Sequence, residues 1–582
     1  KPFAREGEED LRCNWNTPIE VSHHEGGAIY VGAQYLFRSY DRGESWERIS
    51  PDLTTDDPAR QRQKESGGLT IDNSTAENNA TIFTISESPL SADVIWVGTD
   101  DGYVQVTRDG GETWTNVTAA ITDLPEGLWV SEVEASNHDE GTAYVTVDGH
   151  RSGDMATYVD RTRDFGATSE PIAGETIESY AHVVREDPVN ENLLFVGTEM
   201  GLWVSIDGGA DWARFSGNVP RVSVRDLAIH PREHDLVIGT HGRGIYVLDD
   251  ITPLRALTAE VLESDVVLLP SRPSVMTMAG GAGWFGGDAD YVGQSLPEAA
   301  SIFFYQKKRH LFGDLKVEVY DTDGELLASI PAGKRRGINR VDLPTRMPPP
   351  KLPPASSLVF AFQGPRLLEG DYAFKLTKGK DELEGKVELV PDPRTPHSAD
   401  DRRLQQETAL ELYERLADLT YLVEATLKLE EQAGERAAAA ARKGDQRLLE
   451  EYAATLEEFR SGIVSTHPAG WLSGDEKLRE HMGNLYGAIV GYDGRPTRTQ
   501  LDRAAALLAQ MAAAEERFDE LTGSGLADVN AELSGESLEL LTREAWEAEQ
   551  EGGALGGELS RVIKPRELAA LGERLVTTFP LL

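Results

Sequence analysis

Carboxylates set in tight turns are the first residues of this chain that could do chemistry. Asp41, Asp109 and Asp207 open Asp41-Arg-Gly-Glu-Ser-Trp46, Asp109-Gly-Gly-Glu-Thr-Trp114 and Asp207-Gly-Gly-Ala-Asp-Trp212, and Asp164 opens a fourth copy that lacks the Trp. Glycosidases use a pair of carboxylates on either side of a sugar bond. A residue that recurs from repeat to repeat, however, cannot mark one unique site. The physical reading is a hairpin turn. The Asp caps loop amides, Gly43, Gly111, Gly166 and Gly209 take positive φ, and Trp46, Trp114 and Trp212 return towards the core. Asp100, Asp101 and Asp148 differ in kind, because they lie in loops after apolar strands. They are the nominees if the chain cleaves glycosidic bonds.

His230-Pro-Arg-Glu233-His234 has the H-x-x-E-H spacing of a zinc peptidase. That chemistry needs both imidazoles on one helix face, and Pro231 between two strand-like runs places the segment in a turn instead. His23-His24 falls in the corresponding turn of the first repeat, so no metal site is expected. His241 and Arg243 are better candidates. They stand in Gly239-Thr-His241-Gly-Arg243-Gly244, where the last repeat replaces its Asp turn. The functional reading is a ligand contact to an anion or carboxylate in the channel, against a more ordinary structural one. The alternative is closure, with Arg243 pairing Asp249 or Asp250 and His241 bonding backbone. Trp96, Trp129, Tyr103 and Trp203 could stack on sugars, but their alternation along strands predicts core. No G-x-S-x-G, phosphate-binding loop or dinucleotide fingerprint is present, and no cofactor is expected.

The elements that hold these residues repeat. Ala28-Ile-Tyr-Val-Gly32, Val94-Ile-Trp-Val-Gly98, Leu193-Leu-Phe-Val-Gly197 and Leu236-Val-Ile-Gly239 are apolar strands ending at glycine, with Thr142-Ala-Tyr-Val-Thr146 a degenerate member. Each follows another strand and a polar turn. The period of roughly 40–65 residues matches four-stranded propeller blades. About five blades are predicted over residues 1–250, a poor closed ring. The chain enters the pattern without an opening strand, so further blades are expected from an upstream part or another chain.

The turns, the segment Thr240-His-Gly-Arg-Gly-Ile-Tyr-Val-Leu-Asp-Asp250 and the opening Asn14-Trp-Asn-Thr-Pro-Ile19 resemble bacterial Asp-box (BNR-repeat) propeller proteins. These are related to the sortilin/VPS10 propeller and are often labelled glycosyl hydrolases. The resemblance covers residues 1 to about 400. It implies a propeller whose Asp turns are structural and sit on the outer rim. A sialidase would need an arginine triad, and none can be identified.

Residues 251–300 lose the repeat, become Gly-rich at Gly280–Gly287 and read as a linker or loop. Period-two alternation then predicts an Ig-like β-sandwich over 301–395, including a strand at Ser357–Phe362. From 396 to 582 the texture is helical, with Ser398 as N-cap and Leu412, Leu416, Leu419, Val423 and Leu427 on one face. The expected class is multidomain: mainly β with an α C-terminal part.

The 582 residues carry a net charge of −42, which argues against nucleic acid and anionic membrane surfaces. With Cys13 the single cysteine, neither an intrachain disulfide nor a cysteine-rich metal site can form. No run is long enough to span a membrane. An extracellular, periplasmic or cell-surface location is expected. The expected function is binding or scaffolding, recognising peptide, protein or glycan. The alternatives are a glycoside hydrolase using a carboxylate pair and a structural component of a surface assembly.

Overall fold

Glycine at the end of the second strand of each repeat sets how closely successive sheets approach. A Cβ on Gly32 would meet Ile82 at 2.7 Å, one on Gly98 would meet Val130 at 2.4 Å and one on Gly197 would meet Val224 at 2.7 Å. Each glycine therefore packs its bare Cα against a β-branched side chain of the following sheet. The computed structural model describes residues 2–4, 6–65, 76–121, 125–277, 297–321, 324–355, 357–466 and 475–553. Gly280–Gly287 lie outside them, as do Pro468 and Gly470, which the sequence marks as expected interruptions of the helical part. The chain divides into two compact units, Lys1–Ser264 and Asp265–Leu582.

The first unit is five antiparallel blades of propeller type. Blade I holds β1 (Ile19–Val21), β2 (Ile29–Gly32), β3 (Leu36–Ser39) and β4 (Glu47–Arg48). Blade II holds β5 (Ile82–Glu87), β6 (Ile95–Thr99), β7 (Val104–Thr107) and β8 (Thr115–Asn116). Blade III holds β9 (Trp129–Ala135), β10 (Ala143–Asp148), β11 (Tyr158–Thr162) and β12 (Glu170–Pro171). Blade IV holds β13 (Ala181–Glu186), β14 (Leu194–Thr198), β15 (Gly201–Ser205) and β16 (Ala213–Arg214). Blade V has only β17 (Val224–Ile229), β18 (Leu236–Thr240) and β19 (Ile245–Leu248). Blade I does possess an opening strand, contrary to expectation: three residues of β1 pair with β2 from Ile19↔Val31 to Val21↔Ile29. Its brevity hid it.

Apolar side chains from consecutive blades fuse into separate inter-blade cores. Tyr30 and Leu36 of blade I meet Ile82, Ile85, Ile95 and Val97 of blade II, and Trp96, Val104 and Val106 of blade II meet Val130, Val133 and Val145 of blade III. The first and third of these interfaces also carry a polar latch. Glu87 accepts hydrogen bonds from Tyr30 Oη, Ser22 Oγ and the His23 amide. Glu186 accepts the same set from Tyr144, Ser136 and the Asn137 amide. At the register of these tyrosines, blades II and IV carry Trp96 and Phe195, so the second and fourth interfaces lack the latch.

In the second unit, β20 (Val266–Leu269), β22 (Ala299–Gln306) and β25 (Gly337–Pro344) form one sheet. The other contains β21 (Ser274–Met276), β23 (Leu315–Tyr320), β24 (Leu326–Pro331), β26 (Gly370–Lys378) and β27 (Asp381–Pro391). Two strands thus come from the stretch read as linker, and β21 pairs parallel with β27. Helices follow: α1 (Ala399–Ala439), α2 (Lys443–Ile463), α3 (Leu478–Val490), α4 (Arg498–Glu520), α5 (Leu526–Glu532) and α6 (Arg543–Gly553). Ser398 caps α1 in a capping box with Asp401.

The strand expected at Ser357–Phe362 does not join a sheet. Its alternation is real, because Val359 and Ala361 are buried while Phe360 and Phe362 are exposed, but the core they enter is helical. Gly483 and Gly487 of α3 admit the segment, since a Cβ on Gly487 would lie 2.0 Å from the Phe360 carbonyl. Side chains of α3 replace a partner strand: Asn484 accepts the Phe360 amide and Tyr486 Oη donates to the Gln363 carbonyl.

Candidate functional site

The Asp turns join the third and fourth strands of their blades. Asp41 accepts the Ser45 amide, the Ser45 hydroxyl and the Ser39 hydroxyl, and Asp109 does the same with Thr113 and Thr107. Asp164 and Asp207 hold corresponding turns, accepting the Thr168 and Asp211 amides. These bonds hold the Asp41 and Asp109 carboxyls down at about 2. Gly43, Gly111, Gly166 and Gly209 all have positive φ, from 82° to 106°. Trp114 and Trp212 cross to the preceding blade, donating to the carbonyls of Ile49 and Ile172, whereas Trp46 turns back on its own Gly43.

Asp100 and Asp101 are fully buried in the β6–β7 hairpin, so neither faces a substrate. Asp100 accepts the Thr81 amide and hydroxyl and the Asn14 amide nitrogen, and burial raises it to about 6. Asp101 binds Thr55 through both its amide and hydroxyl, and also accepts from Thr99. Both nominees are therefore fastenings between loops. Asp148 differs: it lines a cavity and holds His150 Nδ1 at 2.6 Å.

That cavity, about 580 Å³, is the channel bordered by the first strands of all five blades. Glu20 of β1, Phe83 of β5, Trp129 and Glu132 of β9, His182 and Arg185 of β13, and Arg225 and Asp226 of β17 line it. Arg185 is its centre. It donates to Glu132 at 2.8 Å, to Glu134 and to the Leu227 carbonyl, and its guanidinium lies 3.8 Å from Asp226. One guanidinium cannot neutralise this many carboxylates. Burial raises Glu20 to about 7 and Glu134 to about 8, opposed by Arg185 and reinforced by Glu132, and it raises Glu132 too. Glu20 is bound least: among the described residues its carboxylate accepts no hydrogen bond, and His23 is 3.8 Å away.

The channel mouth carries rings. Trp129 packs edge-on to Phe83 with centroids 5.1 Å apart, and Arg151 lies 3.9 Å over its face. Trp129 is thus a channel platform and not core, while Trp96 and Trp203 are buried between blades. His150 stacks on Tyr180, whose ring meets His182 edge-on. Glu199 and Ser223 both approach the same nitrogen of His182, at 3.1 and 3.5 Å. A hydroxyl-activating relay needs opposite ring nitrogens, so this is no catalytic triad. Burial and Arg225 push His182 down, which favours its neutral form.

His241 and Arg243 occupy the β18–β19 hairpin. The His241 amide donates to the Ser223 carbonyl as the Asp100 amide does to Thr81, so two separately nominated residues share one position in the repeat. Both side chains are exposed, lie outside the channel lining, and make no hydrogen bond or ion pair among the described residues. The Arg243 closure pair with Asp249 or Asp250 does not form. His230 and His234 flank a turn in which His230 Nδ1 accepts the Glu233 amide at 3.0 Å. No helix carries them. Among the described residues, no helix is long and apolar enough to cross a membrane.

Asp148 and Trp129 apart, the channel residues escaped the sequence reading, which searched the hairpin loops. Their signal was a charge inside an otherwise apolar first strand: Glu20 after Pro-Ile, Glu132 and Glu134 around Val133, Arg185 after Val-Val.

No family model matches the chain. Over 172 residues it is 33% identical to an oligoxyloglucan-reducing end-specific xyloglucanase of Emericella nidulans. That match covers 30% of this chain and 18% of the relative's length. Among solved structures, a GH74 xyloglucanase from Xanthomonas campestris matches at 15% identity over 41% of this chain and 37% of that one, with a TM-score of 0.30. A GH74 enzyme of Niastella koreensis matches at 11% identity over 66% and 54%, with a TM-score of 0.31. YCF48 bound to D1 peptide matches at 14% over 41% and 63%, with a TM-score of 0.26. The chain is a β-propeller protein that resembles a glycoside hydrolase over part of its length.

Proposed function

We propose that the channel binds a neutral oligosaccharide, a β-glucan of the xyloglucan type, and that the chain works as a glycoside hydrolase of the Asp-box propeller kind. The observation that carries this reading is Glu20, a carboxyl lining the channel, raised to about 7 by burial and claimed by no hydrogen bond among the described residues. A carboxyl protonated near neutrality can give its proton to the leaving glycosidic oxygen. Asp226, which lines the same cavity and has the more exposed side chain, is the second carboxylate. Trp129 and Phe83 offer the apolar face that a sugar ring stacks on. Partial identity to a xyloglucanase supports the substrate class. A polysaccharide substrate goes with a location outside the cell.

The test is hydrolysis of a panel of xyloglucan and other β-glucan oligosaccharides by the parent, Glu20→Gln and Asp226→Asn. Both variants are expected to lose at least about 100-fold in kcat while retaining binding. An unaltered kcat in Glu20→Gln overturns the assignment. A second reading, capture without cleavage, draws on Arg185, whose bonds commit Glu132 and Glu134 to holding blades III and IV together. Saturable binding of the same panel with no product from any member would favour it.

A further inference from the structure

The two end blades expose residues that every interior interface covers. Ile19 pairs with Val31 as Ile85 does with Val97, Val133 with Val145, Val184 with Val196 and Leu227 with Ile238. Ile19 is 68% exposed, whereas its four counterparts are 6% exposed or less. At the other end, Ile245 pairs with Gly239 as Leu36 does with Gly32, Val104 with Gly98 and Leu202 with Gly197. Ile245 is 72% exposed, whereas those three are 1% or less. Val21 and Val247 extend the two bare faces.

Two further details say what belongs there. Gly239 keeps the glycine that Gly32, Gly98 and Gly197 need for a following blade, yet a Cβ on it would meet only its own blade's Asp226, at 3.4 Å. Trp46 keeps the tryptophan that in blades II and IV reaches back to a carbonyl of the preceding blade, yet it bonds its own turn. Blade V is thus built to be followed and blade I to be preceded. The two bare faces are the complementary halves of one interface type: a second-and-third-strand face of the kind Tyr30 and Leu36 present, and a first-and-second-strand face of the kind Ile85 and Val97 present.

We propose that the five blades are an arc of a larger ring, closed by one run of blades preceding β1 in the same polypeptide. The last of that run covers Ile19 and Val21, and the first receives Ile245 and Val247. Continuity with the interior interfaces, each of which joins blades consecutive in one chain, selects this occupant over a second copy or a foreign protein.

Ile19→Cys and Ile245→Cys, each combined with Cys13→Ser, test it by maleimide labelling. The rate is measured in the purified 582-residue chain and in the protein recovered through a C-terminal tag from its source cells. The expected result is rapid labelling in the former and labelling at least about 100-fold slower in the latter. The recovered polypeptide should also be heavier than the purified chain, with blade repeats in its added sequence. Equal labelling rates overturn the proposal. So does protection that comes from a second copy or a separate chain, identified by cross-linking and mass.

Discussion

Tyr30 Oη donates to Glu87 at 2.7 Å across the first blade interface, and Tyr144 Oη donates to Glu186 at 2.8 Å two blades on. A buried carboxylate bonded by a phenol, a serine and a backbone amide is satisfied only while the two blades stay docked. Hydrogen bonds to charged groups contribute about 1.5–3 kcal/mol, and an orphaned acceptor costs more than the bond is worth. Tyr30→Phe and Tyr144→Phe should each lower the free energy of unfolding of the first unit by about 2 kcal/mol. Phe195, which already stands at this register in blade IV, supplies the control. Phe195→Tyr should give no gain, because blade V offers Ile229 and not Glu. Denaturant unfolding of the three variants checks this.

Much of the propeller was legible because its constraints are local. Asp109 and Gly111 sit two residues apart, and Trp114 three further on, so a turn repeats as a visible string. The latch was not, since Tyr30 and Glu87 are 57 residues apart and neither is unusual in its own strand. The channel failed for a related reason: Glu20, Glu134 and Arg185 acquire meaning only when β1, β9 and β13 converge. The Ser357–Phe362 alternation was read correctly as period two and wrongly as a sheet strand. Whether such a segment meets a strand or two glycines of a helix is decided elsewhere in the chain.

Gly98 and Gly239 make a matched pair. A methyl on Gly98 would lie 2.4 Å from Val130 and 2.7 Å from Thr84, both on stiff β-branched side chains, so the interface must open. Overpacking of this kind costs about 1–3 kcal/mol. Gly98→Ala should therefore destabilise by at least about 2 kcal/mol, and Gly239→Ala in the 582-residue chain by no more than about 0.5 kcal/mol. Thermal unfolding of both variants reads the difference.

Asp100 and Asp101 should prove structural. Each is buried and accepts a backbone amide from another loop, Thr81 for Asp100 and Thr55 for Asp101. Asp101→Ala leaves the Thr55 amide and hydroxyl unpaired, at a cost of about 1–3 kcal/mol each. The melting temperature is expected to fall by several degrees, while turnover in the proposed hydrolysis, per surviving folded protein, stays unchanged. A loss of turnover without a loss of stability would return Asp101 to the active site.

Arg185 carries the last prediction, because it holds together charges that otherwise repel. Removing one partner from a buried ion cluster costs about 3–5 kcal/mol. Arg185→Met should approach the lower figure at pH 8, since the side chains of the cluster are about one-fifth exposed. The cost should shrink on acidification. Glu20 and Glu134 bind protons more tightly in the folded chain, with folded values of about 7 and 8 against 4.5. Their contribution to stability is thus complete below about pH 4.5 and is lost as pH rises through those values. The Asp turns run the other way: Asp41 and Asp109, lowered to about 2 from 3.8, stabilise above that range and cease to as pH falls through about 2. Stability of the parent should therefore peak in mildly acid solution. Glu134→Gln should flatten the alkaline limb, leave the acid limb in place, and relieve part of the Arg185→Met defect in the double variant. Unfolding free energies at pH 3, 5, 7 and 9 decide it, and an alkaline limb unmoved by Glu134→Gln would show that the cluster stays fully ionised.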